Sequence, residues 1–381
     1  MPPRPAQYLE GMTCYSDVLA RAGYNCGLSG KWHMGDSLTP QHGFSHWFCM
    51  PTGGSKYNGA EMIRDGQVHT CPGYLTDVIT DDALAFIQAA KAGPFYLSVH
   101  YNAPHSPWDG HPRAIVDSYD DCPFKSCPQE AAHAWIRPVM RRHLGNRESL
   151  KGYFAAVTAM DHAVGRIIAE LEKRSLRENT LIVFTSDNGF SCGHHGFWGK
   201  GNGTFPLNMY ENSVKVPTIF SHPGHIPAAL VTEAMVSQYD FMPTLLEYLN
   251  LPGVDDPLGP GRSFMPALTG QTDQARERVV VYDEYGPVRM IRTAEWKYVH
   301  RYPYGPHELY DMADDADERD NLAEEKSRQA VVEEMRKRLA DWFARYVDPA
   351  RDGLRCPVTG LGQVERIDAD HCGEGAFTPP A

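Results

Sequence analysis

The sequence predicts an α/β protein: a doubly wound, mostly parallel sheet with helices on both faces, plus a small C-terminal antiparallel sheet with a terminal helix. Two observations carry this. Up to Gly270, short β-branched and aromatic runs alternate with segments of helical period, a pattern that implies right-handed crossovers between parallel strands. After Gly270, short strands follow one another through tight links, which places a domain boundary near 272. Residues 1–272 then form the main α/β domain and residues 273–381 a small α+β subdomain with a tail. A chain of 381 residues with 42% apolar and 22% charged residues has an ordinary globular balance and room for about two domains.

The elements follow in order. Residues 13–22 read as a short helix closed by Gly23, and Tyr24 to Ser29 as a buried strand. Residues 77–91 form a helix, and Phe95 to Tyr101 a strand running out into Asn102-Ala-Pro-His-Ser-Pro107. Residues 36–75 and 108–147 read as excursions that line a substrate entrance. Residues 148–174 make the longest helix, with Phe154, Val157, Met160, Val164, Ile167, Ile168 and Leu171 on one stripe. Thr180 to Ser186 reads as a central strand, Val216 to Ser221 as another, and residues 240–250 as a helix. In the subdomain, Arg278–Tyr285, Val288–Thr293 and Trp296–His300 are expected strands, 323–346 a helix, and the last 30 residues an extended tail.

Composition excludes some functions. A net charge of −12 opposes nucleic acid and gives no help at anionic membranes, so an anionic ligand has to meet a local basic pocket. No window of about 18 apolar residues suggests a spanning helix. The start Met1-Pro-Pro-Arg-Pro has no apolar leader core, and together with nine cysteines this favours the cytoplasm. Mostly free thiols are expected, with Cys122 and Cys127 near enough in a loop to pair. Oligomerisation is left open.

Chemistry-bearing residues gather where open α/β sheets place ligands, at strand ends. They are Lys31 and His33, then His105, then Asp187 and Asn188, then Lys200. Each alone has a plain reading: Asp-Asn-Gly is a common turn, and a histidine between prolines can cap one. Order changes the balance, because all of them leave or enter one sheet edge. Two lysines and two imidazoles make a positive pocket, and Asp187 with Asn188 adds hard oxygen donors suited to Ca²⁺ or Mg²⁺. That set fits a tetrahedral oxyanion ester, which needs charge neutralisation and a proton for the leaving oxygen.

These motifs carry a resemblance. Gly23-Tyr24 with Gly30-Lys31-Trp32-His33-Met34-Gly35 resembles the signature of the sulfatase family of the alkaline-phosphatase superfamily. So do Ala103-Pro-His-Ser-Pro107, Thr185-Ser-Asp-Asn-Gly189, Gly199-Lys-Gly201, Tyr210 to Pro217 and Gln238 to Leu246. In the subdomain the similarity continues through Val288–Thr293, Trp296–Val299, Glu308–Asp311 and Asn321-Leu-Ala323. The resemblance implies a sulfuric ester hydrolase acting on a small aryl, alkyl or sugar sulfate. It implies that Asp187 and Asn188 ligate a divalent cation, Ca²⁺ by default with Mg²⁺ or Mn²⁺ as alternatives. Lys31 and Lys200 would hold sulfate oxygens, His105 the ester oxygen, and His33 would orient or help turn over a covalent intermediate. His194 and His195, between the metal and lysine positions, would contact substrate or serve structure.

The pattern breaks at its beginning. The family's nucleophile is a formylglycine made in a Cys/Ser-x-Pro-x-Arg motif, and two metal-binding aspartates end a strand; both come before the Gly-Lys-Trp-His loop. Only 29 residues precede Gly30, and none fits. Cys14 lacks the proline, and Cys49-Met-Pro-Thr-Gly53 has glycine where arginine is needed and follows Lys31 instead of preceding it. The expectation is an N-terminally incomplete catalytic domain, with a gap where its first strand belongs. Its alternatives are a non-catalytic pseudo-sulfatase that binds sulfated or phosphorylated ligands, a site using metal-bound water with ligands from another chain, or a phosphonate or phosphodiester hydrolase.

Overall fold

The computed structural model describes residues 7–90, 93–271, 276–283 and 286–352 together with Leu354. Helix α1 (Tyr15–Arg21) leads into strand β1 (Asn25–Gly30), the middle of the parallel part of the main sheet. Strands β2 (His46–Cys49) and β5 (Phe95–His100) pair parallel to it on either side. Beyond β2 comes an antiparallel hairpin, β3 (Glu61–Arg64) and β4 (Gln67–Thr70), giving the order β4-β3-β2-β1-β5. Residues 36–75, expected to line a substrate entrance, therefore supply three strands. Each is only four residues long, too short for a period of two to stand out from its flanks.

Both faces of the sheet are covered, and β1 shows how. Cys26 and Leu28 enter a core with Leu19 of α1 and with Leu245 of α7 (Phe241–Tyr248). Between them, Gly27 and Ser29 face α2 (Leu75–Ala89): a Cβ on Gly27 would meet the Phe86 ring, and the Ser29 hydroxyl bonds the buried Asp82 carboxylate. Helix α5 (Arg147–Lys173), the expected long helix, packs outside α2, burying Ala156 against Ile79 and Met62. Asn146 caps it by accepting from the Ser149 N–H at 3.1 Å. Between β5 and α5 the chain makes only two short helices, α3 (Arg113–Asp117) and α4 (Pro138–Arg141). Yet this excursion buries Phe124, Cys127 and Ile136, so it is partly core and not all surface.

The expected central strand is reduced to β6 (Ile182–Phe184), which pairs antiparallel with β9 (Ile219–Ser221) as a separate two-stranded sheet. Among the described residues β6 pairs only with β9, and β5 only with β1. Leu97, Val99 and Val183 on these strands are only half-buried, and Ile219 is 58% exposed. Between β6 and β9 lie a small hairpin, β7 (Ser191–Cys192) with β8 (Trp198–Gly199), and the one-turn α6 (Glu211–Val214).

After the short α8 (Met265–Leu268), β10 (Val279–Tyr282), β11 (Val288–Arg292), β12 (Trp296–Arg301) and β13 (Glu308–Asp311) form one antiparallel sheet. Helix α9 (Gln329–Tyr346) covers it, with Met335, Leu339 and Trp342 against Ile291, Tyr298 and Leu309. Residues 272–275, at the expected boundary, and 355–381, in the expected tail, lie outside the described residues. The small sheet buttresses the main domain. The fully buried Lys297 ammonium lies 3.0 Å from Glu211 Oε1 and 2.6 Å from Glu318 Oε1, and the Arg301 guanidinium donates to the Leu207 carbonyl at 3.1 Å.

Candidate active site

The site is assembled at the carboxyl ends of β1, β5 and β6 and at the end of the β7–β8 hairpin. Lys31 leaves β1 through a tight junction. Its N–H donates to the His100 carbonyl at 2.8 Å, and the His100 Nδ1–H donates back to the Lys31 carbonyl at 2.8 Å. Gly30 makes this closeness possible: its φ is +117°, and a Cβ there would overlap the His100 carbonyl. Trp32 turns into the core beside Phe44 and Trp47. Its neighbour His33 sits at φ +56°, a left-handed conformation that a non-glycine residue adopts rarely and at functional sites disproportionately.

Asp187 and Asn188 follow β6, and the two lysines converge on them. The Lys31 ammonium lies 3.8 Å from Asp187 Oδ2, and the Lys200 ammonium donates to Asn188 Oδ1 at 2.7 Å. Lys31 is largely sheltered, with 14% of its side chain exposed, whereas Asp187 is 65% exposed and opens to the rim. The Gln238 side-chain amide holds the turn by donating to the Ser186 carbonyl at 2.6 Å. The Asn208 amide donates to the Lys200 carbonyl at 3.2 Å, fixing the end of the hairpin.

His105 is positioned by its backbone. Its carbonyl accepts from the buried Tyr57 hydroxyl at 2.9 Å, and the Trp108 indole N–H donates to the adjoining Pro104 carbonyl at 3.1 Å. Nδ1 lies 2.9 Å from the Ser106 carbonyl. A carbonyl only accepts, so Nδ1 carries the hydrogen and Nε2 is left for a ligand. Both imidazoles meet one wall. A Cβ on Gly53 would overlap the His33 ring, and one on Gly54 would come within 3.0 Å of His105 Cε1. The two rings thus border one glycine pair.

Electrostatics tie the set together. Partial burial lowers the pKa of His33 and of His105; the ammonium groups of Lys31 and Lys200 push both further down, and Asp187 opposes. Burial likewise lowers Lys31, with Asp187 working against it and Lys200 with it. Lys31, His33, His105, Asp187, Asn188 and Lys200, all picked out from the sequence, thus share one site. His195 does not. It stacks on Tyr210 at 3.8 Å in a separate cleft of about 400 Å³ lined by Glu130, Trp135, Tyr310 and Arg319.

Four contributors escaped the sequence reading. His100 reads as a strand residue, and only its pairing with Lys31 reveals it. Tyr57 and Gln238 act through backbone carbonyls, which leave no mark in a motif. Gly53 occupies the place where an arginine was sought, and its missing side chain is what admits His33.

The sulfatase family generally uses a divalent cation, Ca²⁺, and a formylglycine. Asp187 and Asn188 are oxygen donors of the right kind, but they are two, and ammonium groups already face both. Among the described residues no cluster of three or more His, Cys, Asp or Glu ligand atoms includes Asp187. Ca²⁺ takes roughly six to eight oxygens. The described residues alone do not complete that cation site.

An α/β fold whose strand ends gather positive charge around one carboxylate makes a site for an anionic ester. Comparison with known proteins makes the class specific. The Sulfatase family model matches residues 8–251, well over half of the chain, and the model for the C-terminal part of N-sulphoglucosamine sulphohydrolase matches residues 193–345. The chain belongs to the sulfatase family, the sulfuric ester hydrolases of the alkaline-phosphatase superfamily.

Among its relatives, the N-acetylglucosamine-6-O-sulfatase of Bacteroides thetaiotaomicron is 27% identical over 86% of this chain and 73% of its own length. The choline-sulfatase of Rhizobium meliloti is 28% identical over 91% of this chain and 74% of its own length. A structure described as bound to its substrate D-glucosamine-2-N,6-O-disulfate aligns with a TM-score of 0.77 at 24% identity, covering 91% of this chain and 85% of that one. The putative sulfatase yidJ from Bacteroides fragilis aligns with a TM-score of 0.74 at 25% identity, covering 89% and 78%.

Proposed function

We propose that this chain recognises the sulfate monoester of a small sugar, with Lys31 and Lys200 gripping the sulfate oxygens and His105 Nε2 placed at the ester oxygen. One observation carries the reading: both ammonium groups reach the Asp187–Asn188 turn, leaving a positive face flanked by two imidazoles. A sulfate entering there replaces the lysines' present partners with its own oxygens and gains charge-assisted hydrogen bonds. His105 binds a proton more readily once the anion is seated, and a protonated Nε2 is a donor to the leaving oxygen. A sugar is favoured over a small alkyl group by the relatives named for sugar 6-O-sulfate.

The two-donor set at Asp187 favours one alternative, a site that binds sulfated sugars without turnover. Both readings are separated by one experiment with N-acetylglucosamine-6-sulfate: calorimetric titration together with chromatographic detection of released sulfate. Binding with release establishes the hydrolase, and binding without release the pseudoenzyme. No binding at millimolar ligand overturns both, as does binding unchanged in the double variant Lys31→Ala/Lys200→Ala.

A further inference from the structure

Two cysteines outside the site form a pair that the sequence did not suggest. Cys127 lies in the excursion between β5 and α5, and Cys192 ends β7, the hairpin strand paired with the one that leads to Lys200. The seven described cysteines are all unlinked, and the thiols of these two lie close enough for each to shift the other's pKa. Both are buried in one cluster with Phe124, Leu150 and Trp198. The backbones are clamped as well: the Gln129 amide nitrogen donates to the Cys127 carbonyl at 2.8 Å and to the Cys192 carbonyl at 2.7 Å. Next to Cys192 the chains touch closely enough that a Cβ on Gly193 would lie 2.6 Å from the Pro128 carbonyl. Cys122, the partner suggested by proximity in sequence, has no sulfur contact with Cys127 among those described.

We propose that Cys127 and Cys192 are a disulfide-forming pair that, when oxidised by a peroxide, staples the substrate-side excursion to the hairpin carrying Lys200. The chemistry balances. The Cys127 thiolate attacks one peroxide oxygen, forming an S–O bond and breaking the O–O bond, and hydroxide leaves and takes a proton. The Cys192 sulfur then attacks Cys127, forming the S–S bond and expelling the second oxygen as water, so two thiols and one hydrogen peroxide give one disulfide and two waters. The polarity of the pair fits this order. Interaction with Cys192 brings the Cys127 thiol down to about 7, while the same interaction and burial raise Cys192.

The test uses the intact chain. It is treated with stoichiometric hydrogen peroxide, or with diamide as a second small oxidant, then alkylated in denaturant and digested with trypsin without reductant. Cleavage after Lys125 puts Cys122 on a different fragment from Cys127, which lies in 126–141, and Cys192 lies in 178–200. The expected result is a dithiothreitol-sensitive link between 126–141 and 178–200 in the wild type and in Cys122→Ser, but not in Cys127→Ser. Oxidation also raises the melting temperature of the wild type and not of the isosteric Cys127→Ser. A link through Cys122, over-oxidation of Cys127 without a link, or full alkylation of both cysteines after either oxidant overturns the proposal.

Discussion

The Lys200 ammonium donates to the Asn188 amide oxygen across 2.7 Å, which joins the end of the β7–β8 hairpin to the turn after β6. A charge-assisted hydrogen bond to an anion contributes about 1.5–3 kcal/mol. Lys200→Ala is therefore expected to weaken sulfate binding by about 10- to 100-fold. Unfolding stability should stay within about 0.5 kcal/mol of wild type, as for partly exposed side chains away from the core. Calorimetry and urea melts on the same preparation check both; an unchanged affinity removes Lys200 from the site.

Affinity should also depend on pH with a definite sign. His33 and His105 both titrate below the ordinary imidazole range, because burial and then the two lysines disfavour their charged forms. A bound anion favours those charged forms, so binding takes up protons and tightens as pH falls from 7.5 to 5.5. Titration in two buffers of different ionisation enthalpy reads the proton uptake directly. His105→Gln should reduce the uptake; equal uptake in that variant contradicts the role given to this ring.

Gly53 offers a test of geometry alone. Its Cα faces the His33 ring so closely that a methyl group displaces the imidazole. Gly53→Ala is expected to cut ligand affinity or turnover by about tenfold or more, since small misplacements at a site are costly. Gly54→Ala, with 3.0 Å to His105 Cε1, should have a smaller effect. The reverse ranking would show that the glycine pair does not set the imidazole positions.

Much of this was legible in the sequence, for reasons that differ by residue. Lys31, His105, Asp187 and Lys200 each stand beside glycine, proline or a β-rich run, so local pattern placed them at strand ends, although those strands belong to separate sheets among the described residues. The helix at residues 15–21 was marked by the glycine that closes it, and the long helix at 147–173 showed a stripe of period 3.6. Strands β2 to β4 did not, because four residues give two side chains per face. The pairing of Cys127 with Cys192 rests on a contact between segments 65 positions apart, which no local reading supplies. The expected Thr180–Ser186 strand is regular for only three residues, because it has a hydrogen-bonding partner on one side among those described.

The subdomain makes its own prediction about acid. His300 is buried at 3% exposure, is hydrogen-bonded through Nδ1 to the Tyr298 hydroxyl at 2.7 Å and stacks on His307. Burial, then His307 and nearby arginines, lower its pKa to about 4. The unfolded chain then binds more protons than the folded one, so stability present above the unfolded pKa is lost as pH falls from about 7 towards 4. Linkage gives a loss of about 2 kcal/mol at pH 5 from this residue. Urea midpoints of wild type and His300→Gln at pH 7.5 and 5 should differ less at the lower pH; parallel pH slopes would count against it.

The buried ion pair between the small sheet and α6 gives the strongest expected stability effect. Lys297 is fully buried and serves both Glu318, whose side chain is 1% exposed, and Glu211 on α6. Burial raises the pKa of Glu318 even with the ammonium beside it, whereas Glu211, helped by Lys297 and Arg292, is lowered in spite of its own burial. Glu318 is therefore the carboxylate that most needs the cation. Lys297→Met leaves it buried and uncompensated, at a cost of about 3–5 kcal/mol at pH 7.5. In the variant its folded pKa rises further above the unfolded value, so the folded state binds the extra proton and the deficit shrinks as pH falls to 5. Adding Glu318→Gln, which keeps an acceptor for the Glu211 N–H now bonded at 2.7 Å, should recover part of the loss at neutral pH. Urea unfolding of the three proteins at both pH values tests the chain of reasoning: a deficit that does not narrow at pH 5, or no recovery in the double variant, assigns the cost to lost packing and not to a stranded charge.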